Sequence, residues 1–477
     1  MSTSDGIAMR RFSRLPTDEE YEMETPTPES ASLVSVSTEK SVKFSQRFLR
    51  TGKRRISVAA SFKAIAFSSW LNVLIIFLPI SWAAHFVNKS GDEKAFPYTV
   101  TFLLCFFAII PLEKLFDYCG EQMAHYLGDD LGELLVVSLN NTVEATLAII
   151  LLRKCELRLL QSTIIGVVVL HLLLVPGVAF ITGGARIVEQ DLHPHLTSIN
   201  QSLLIIGVLT LLLPVAFYAA MDNGAIPSTP ADAASTLVND TTRGMLLQIS
   251  RGLAVLLLSV YICSRFFLHN PPGENEKEEE EPEINPFVCL GVIAVTVALM
   301  AGTAEWLVDS IEFVRDEQGI SQEFFGLIIL PLVSFSGDAV VSVLFFVRSL
   351  IQNARGVRVA PGELADARPI DLSIQFTMFW MPFLCLLGWV LGKPLILLFD
   401  LYEVAILIGA CFIVNYVVAD SKTNWLEGYA MFSFYIMIAL CTWFYQGQKQ
   451  IQLLLGEDCQ SVVDTIAYVA AGGELVR

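Results

Sequence analysis

The sequence predicts an all-α polytopic membrane protein of about eleven transmembrane helices, arranged as one helix plus two inverted five-helix repeats. Three observations carry this. Apolar residues make up 54% of the 477 and charged residues only 17%, against about 25% charged in soluble domains. The apolar residues gather in windows near the ~20 needed to cross hydrocarbon, at 64–87, 95–112, 131–152, 160–182, 200–220, 246–268, 287–307, 323–347, 373–391, 394–418 and 428–445. On both sides of an acidic block the same marks recur in the same order: an acidic helix end, a glycine, an intramembrane acid and a basic stop.

Taken in order, residues 1–60 read as a disordered cytosolic tail. Ser, Thr, Pro and Glu dominate, Arg47, Arg50, Lys53, Arg54 and Arg55 close it, and no apolar signal-peptide core appears. The first transmembrane helix and the first five-helix repeat occupy 64–268. Residues 269–286 form an acidic cytosolic linker, with Glu274, Glu276, Glu278 to Glu281 and Glu283, a block that must stay solvated. The second repeat occupies 287–445, and 446–477 reads as a C-terminal tail. Basic residues near the spans orient the chain: the basic end of the N-terminal tail lies in the cytosol, and Arg348, Arg355, Arg358 and Arg368 fall on the same side. One loop breaks the rule, since Arg153, Lys154 and Arg158 fall on the opposite side. The net charge of −17 argues against nucleic acid as a partner. The nine cysteines are scattered without a CxxC pair and read as small apolar residues with no redox role. Nothing in the sequence points to an oligomeric state.

The chemistry sits in two acids inside apolar runs, Glu144 in Leu139-Asn140-Asn141-Thr142-Val143-Glu144 and Asp338 in Phe335-Ser336-Gly337-Asp338. They follow Gly132 and Gly326 at equal distance. A carboxylate at bilayer depth costs roughly 2.5–3.5 kcal/mol by the lower scales, so it belongs beside a cavity, a partner or a bound cation. Asn141 and Glu144 stand at i and i+3 on one helical face, with Ser138 a turn earlier, and together offer amide, hydroxyl and carboxylate oxygens. Hard cations take oxygen ligands, and a carboxylate that accepts either a cation or a proton is a physical basis for exchange. The competing role for such a face is a hydrogen-bonded cluster that locks helices together. Glu113, Asp117 and Glu121 end the second span, and Glu305, Asp309 and Glu312 the seventh; each set forms either a cation approach path or a solvated helix end. His171 is either a proton-sensitive neighbour of the site or a structural hydrogen-bond partner. No cofactor is implied beyond the transported cation and H⁺. An intramembrane hydrolase pairing Glu144 with Asp338 lacks any accompanying motif, so the chain does not read as an enzyme.

The stretch from Gly132 to Arg158, with NNTVE followed by Leu-Leu-Arg-Lys-x-x-Leu-Arg, resembles the calcium/proton exchanger (CAX-type) pattern GNAVE followed by ALRKGQIR. Further similarity lies at Trp70 to Leu74, Ile110-Pro111-Leu112, Gly183-Gly184, Leu213-Pro214, Ser250-Arg251-Gly252, Ala304-Glu305, Leu307 to Glu312 and Gly326 to Pro331, so it spans about 66–445. The resemblance implies Ca²⁺ moved against H⁺, typically at the vacuolar membrane. Departures cluster at the site. The family's second motif, GNAAEH, matches Ser334 to Ala339, with Phe335 in place of the amide and Asp338 in place of the glutamate. Asn140 replaces a glycine, the polar stretch of span four keeps only His171, and in span nine Gln375 remains while Leu372 replaces a serine. The ligand set that survives is Asn141, Glu144, Ser336, Asp338 and Gln375. Two readings follow: a divergent cation/proton antiporter, or a transport-poor member with a binding or regulatory role in the membrane.

Overall fold

The computed structural model describes Phe48 and residues 56–90, 97–127, 129–184, 190–192, 194–222, 237–268, 282–354, 368–456 and 459–470. Most of the expected N-terminal tail and of the acidic linker therefore lies outside the described residues. The chain is helical almost throughout, as buried backbone in an apolar solvent requires.

A short helix α1 (Val58–Phe67), capped by the Ser57 hydroxyl, leads through a 3₁₀ stretch (Trp70–Ile76) into α2 (Phe77–Ser90). The first repeat then holds α3 (Tyr98–Leu127), a bent pair α4 (Asp129–Asn140) and α5 (Thr142–Lys154), the pair α6 (Leu157–Val169) and α7 (Val175–Gly184), α8 (Pro194–Asp222) and α9 (Asp240–Leu268). The second repeat opens with α10 (Pro286–Gln318), with Asn285 as its cap, Pro286 at the first turn and Gly319 in the left-handed conformation at its end. It continues with the three-residue α11 (Gln322–Phe324), α12 (Leu330–Ala354), α13 (Arg368–Gln375), α14 (Met381–Val390), α15 (Leu401–Val417) and α16 (Trp425–Trp443). The opening helices of the two repeats, α3 and α10, pack along each other.

Among the described residues eight helices are long and apolar enough to cross a membrane, or nine if the bent pair counts as one span. The two remaining sequence windows coincide with shorter apolar helices, Gln322–Val333 and Leu401–Val417. This is an integral membrane protein. The corresponding spans of the two repeats share an irregularity: α6 and α7 are joined by a π turn at Leu170–Leu174, and α13 and α14 by one at Phe376–Trp380. Such single π turns often stand at functional positions.

Three sequence expectations change. The window 394–418 begins too early, because the buried residues before Leu401 form no helix; Gln161 Nε2 donates to Ile396 O and Leu398 O, and Ser250 Oγ accepts from Leu397 N. Side chains from the first repeat thus satisfy backbone that a helix would have satisfied itself, and an apolar run alone does not reveal that. The stretch after 446 carries two helices, α17 (Lys449–Leu455) and α18 (Val462–Ala470). Finally, two of the cysteines are not inert: Cys155 and Cys459, 304 residues apart in sequence, form a disulfide. Neither lies in a spaced motif, so the pairing follows only from the fold.

Candidate cation site

Asn141 interrupts the third span. Its backbone sits at φ −92° and ψ 9°, the sparsely allowed bridge region where active-site residues recur, and the apolar helices on either side meet at 54°. The break places Glu144 in the first turn of α5, where the helix dipole favours a negative group. Asn141 is fully buried and Glu144 is 2% exposed.

The break is held by span nine. Asn141 Nδ2 donates to Gln375 Oε1 at 2.6 Å and to Leu372 O at 3.4 Å, and Gln375 Nε2 donates on to Ser138 Oγ at 3.1 Å. Asn141 Oδ1 is buried without a hydrogen-bond partner among the described residues, which leaves one amide oxygen in the site available to a ligand. Gln375 ends α13 immediately before the Phe376–Trp380 π turn. On the other side His171, in the first π turn, lies with Nε2 3.9 Å from Glu144 Oε1. His171 Nδ1 is 3.0 Å from Val167 O; a carbonyl only accepts, so the proton sits on Nδ1 and Nε2 faces the carboxylate.

The second motif differs. α12 runs unbroken from Leu330 to Ala354. Phe335 is buried, and Ser336 Oγ donates to Val333 O of its own helix at 2.9 Å. The Ser334 and Asp338 side chains lie outside the described residues. Buried Glu113 comes to this motif: a Cβ built on Gly337 would stand 3.6 Å from Glu113 Oε2. Its counterparts Glu305, Asp309 and Glu312 are exposed, so the two acidic sets do not share one environment. Asp309 pairs with Lys154 at the end of α5 and lines a cavity of about 150 Å³ together with His85, Asn88, Tyr98 and Trp306. The structure thus gathers Asn141, Glu144, Gln375 and His171, sets Glu113 beside the second motif, and leaves Glu305, Asp309 and Glu312 on an outer face. Among the described residues no three His, Cys, Asp or Glu side chains cluster closely enough to hold a metal ion.

The sodium/calcium exchanger protein family model matches residues 97–269 and 288–444, which include both motifs. The chain belongs to this family. A vacuolar calcium ion transporter of Cryptococcus neoformans var. grubii is 31% identical over 84% of this chain and 78% of its own length. A vacuolar calcium ion transporter of Schizosaccharomyces pombe is 29% identical over 82% and 88%, and a Ca²⁺/H⁺ antiporter of Synechocystis is 28% identical over 78% and 96%. Among solved structures, native YfkE superposes with a TM-score of 0.59 at 20% identity, covering 79% of this chain and all of that one. The H⁺/Ca²⁺ exchanger CAX gives 0.54 at 14% identity over 86% and 95%, and both likenesses show the fold.

In this family member a second charged centre escaped the sequence reading. Arg158, at the start of α6, is buried against three carboxylates: Nε to Glu323 Oε1 at 3.4 Å, Nη2 to Asp400 Oδ2 at 3.2 Å and Nη1 to Glu403 Oε2 at 3.2 Å. Ser162 Oγ donates to Glu403 Oε1 at 2.6 Å. Glu323 and Glu403 each lie in a first helical turn, and the cost of an acid in an apolar chain, which singled out Glu144, would have flagged both.

Proposed function

We propose that the protein is a divergent cation/proton antiporter of a vacuolar or other endomembrane, with Ca²⁺ as its first candidate cargo. Asn141, Glu144, Gln375, Ser336 and Asp338 are its cation ligands, and Glu144 with His171 takes up the proton. Glu113, Glu305, Asp309 and Glu312 belong to the paths by which ions reach the site, Glu113 from within and the other three at the surface. The observation that carries this reading is the buried Glu144 carboxylate at a helix break, one turn from Asn141, whose amide oxygen has no hydrogen-bond partner among the described residues. A cation and a proton cannot both neutralise one carboxylate, so loading one expels the other. The names of the relatives, Ca²⁺/H⁺ antiporter and vacuolar calcium ion transporter, agree with that chemistry.

The second reading, a transport-poor member with a binding or regulatory role, is favoured by Phe335, a buried ring where the family pattern has an amide, and by the Ser336 hydroxyl turned to its own helix. Flux in sealed vesicles under an imposed pH gradient separates the two. Proton-driven uptake of Ca²⁺, Mn²⁺, Na⁺ or K⁺ that Glu144→Gln abolishes establishes the antiporter; no flux of any of them from a folded chain establishes the second reading.

A further inference from the structure

One end of the molecule gathers the Cys155 turn and the starts of α6, α11 and α15, and the segment after α16 lies across them. Tyr445 Oη donates to Asp400 Oδ1 at 2.6 Å, Gln448 N to Asp400 Oδ2 at 2.9 Å and Gln452 Nε2 to Glu323 Oε1 at 3.3 Å. Gly447 passes so close that a Cβ there would overlap Glu323 Oε1, at 2.0 Å. Its own Ile451, Leu454 and Leu455 are buried, and the Cys155–Cys459 disulfide closes it. The segment therefore sits on the Arg158 cluster, whose members come from the first repeat (Arg158) and the second (Glu323, Asp400, Glu403), and it ends on the turn that follows the Glu144 helix.

We propose that residues 445–456, tied by Cys459, are a disulfide-locked strap that holds the two repeats together at the non-cytosolic face of the protein. The functional part rests on the antiporter reading; the placement does not. Disulfides persist where thiols are kept oxidised, which excludes the cytosol. Between the N-terminal side and Cys155 lie three membrane-crossing segments, Trp70–Asn88, Tyr98–Leu127 and the bent pair. An odd number sets the N-terminus on the opposite, cytosolic side, in agreement with its basic residues. The loop that broke the charge rule then has a physical account: Lys154 is paired with Asp309 and Arg158 with three carboxylates, so neither is a free positive charge. Locking requires thiol–disulfide exchange, in which the two cysteine thiols give two electrons and two protons to a disulfide-bearing oxidant that leaves as a dithiol. Lys393 Nζ, 2.8 Å from Cys155 Sγ, would stabilise the Cys155 thiolate when the bridge is opened again. Alternating access needs the repeats to move against each other, and a strap bound to both resists opening at this face.

The test uses the full chain in sealed vesicles with the cytosolic face outward. Maleimide labelling after non-reducing denaturation is expected to reach the seven free cysteines, and all nine after reduction. Cys155→Ser and Cys459→Ser each remove that difference. A membrane-impermeant phosphine added outside leaves the bridge intact, and a permeant one opens it. Opening it, by reduction or by Cys459→Ser, increases hydrogen exchange of residues 445–456 and of α11, and raises Ca²⁺ flux about fivefold, the low end of typical coupling between sites. Tyr445→Phe with Gln452→Ala, which leaves both cysteines in place, shifts flux the same way. Nine free thiols in the wild-type chain, a bridge opened from the cytosolic side, or unchanged exchange at α11 after reduction each overturn the strap. Glu144→Gln judges the antiporter reading separately, because thiol count and hydrogen exchange need no transport.

Discussion

The two repeats bring one plan to the membrane centre and finish it differently. In the first, the helix breaks at Asn141, an amide bridges to Gln375, and Glu144 opens a new helix. In the second, α12 runs straight through Phe335, Ser336 and Gly337, and the Ser336 hydroxyl spends its proton on its own helix. A broken helix frees polar groups and turns them inward, whereas an unbroken one consumes them in its own hydrogen bonds. On the proposed antiporter reading, binding power therefore lies mainly on the first-repeat side.

The sharpest way to break that contrast is Glu144→Gln. It removes the charge at nearly constant shape, and losing a charge-assisted ligand of about 3 kcal/mol means roughly a hundredfold weaker cation binding; flux in vesicles should fall to background while the size-exclusion profile stays unchanged. Gln375→Leu comes next. It strips Asn141 Nδ2 of its best partner and leaves a buried donor unsatisfied, at about 1–3 kcal/mol, read as a lowered melting temperature together with about tenfold less flux. Phe335→Asn works in the other direction: it restores an oxygen to the second motif and should raise Ca²⁺ affinity several-fold, about 1 kcal/mol for one hydrogen-bonding or ligating group, measured by Ca²⁺ titration. An unchanged titration would put the second motif outside the site. Ser336→Ala should change least, within about twofold, because its hydroxyl is already bonded within the helix; a large loss of flux there would show the two half-sites to be equivalent.

Much of the architecture was legible because hydrocarbon leaves a chain few choices: runs such as 200–220 and 246–268 are helices wherever they are placed. Glu144 was legible for the same reason, through the cost of an isolated acid. The break at Asn141 was not, since Asn140-Asn141-Thr142 fits a helix face as well as a helix end until Gln375 arrives from more than 200 residues away. Helical spacing also put Glu113 and Glu305 on matching faces without telling which face is inside, and only Glu113 is buried. Arg158 was read as a loop charge because its three partners lie far along the chain, and pairing of that kind, like the disulfide, is decided by tertiary contact.

Gly326, one of the two glycines that marked the repeat, and Gly166, which packs near it, have a mechanical consequence. A side chain at Gly166 would begin 2.4 Å from Leu327 O, and one at Gly326 would begin 2.7 Å from Ser162 Cβ. Span four and span eight thus cross closely, with the Leu327 carbonyl and the Pro331 ring against Gly166 and the Ser162 side chain against Gly326. The span carrying His171 and the span carrying Ser336 therefore share one close contact, and a shift of either is felt by the other. A single methyl group at Gly166 would force the two spans apart before it touched any ligand.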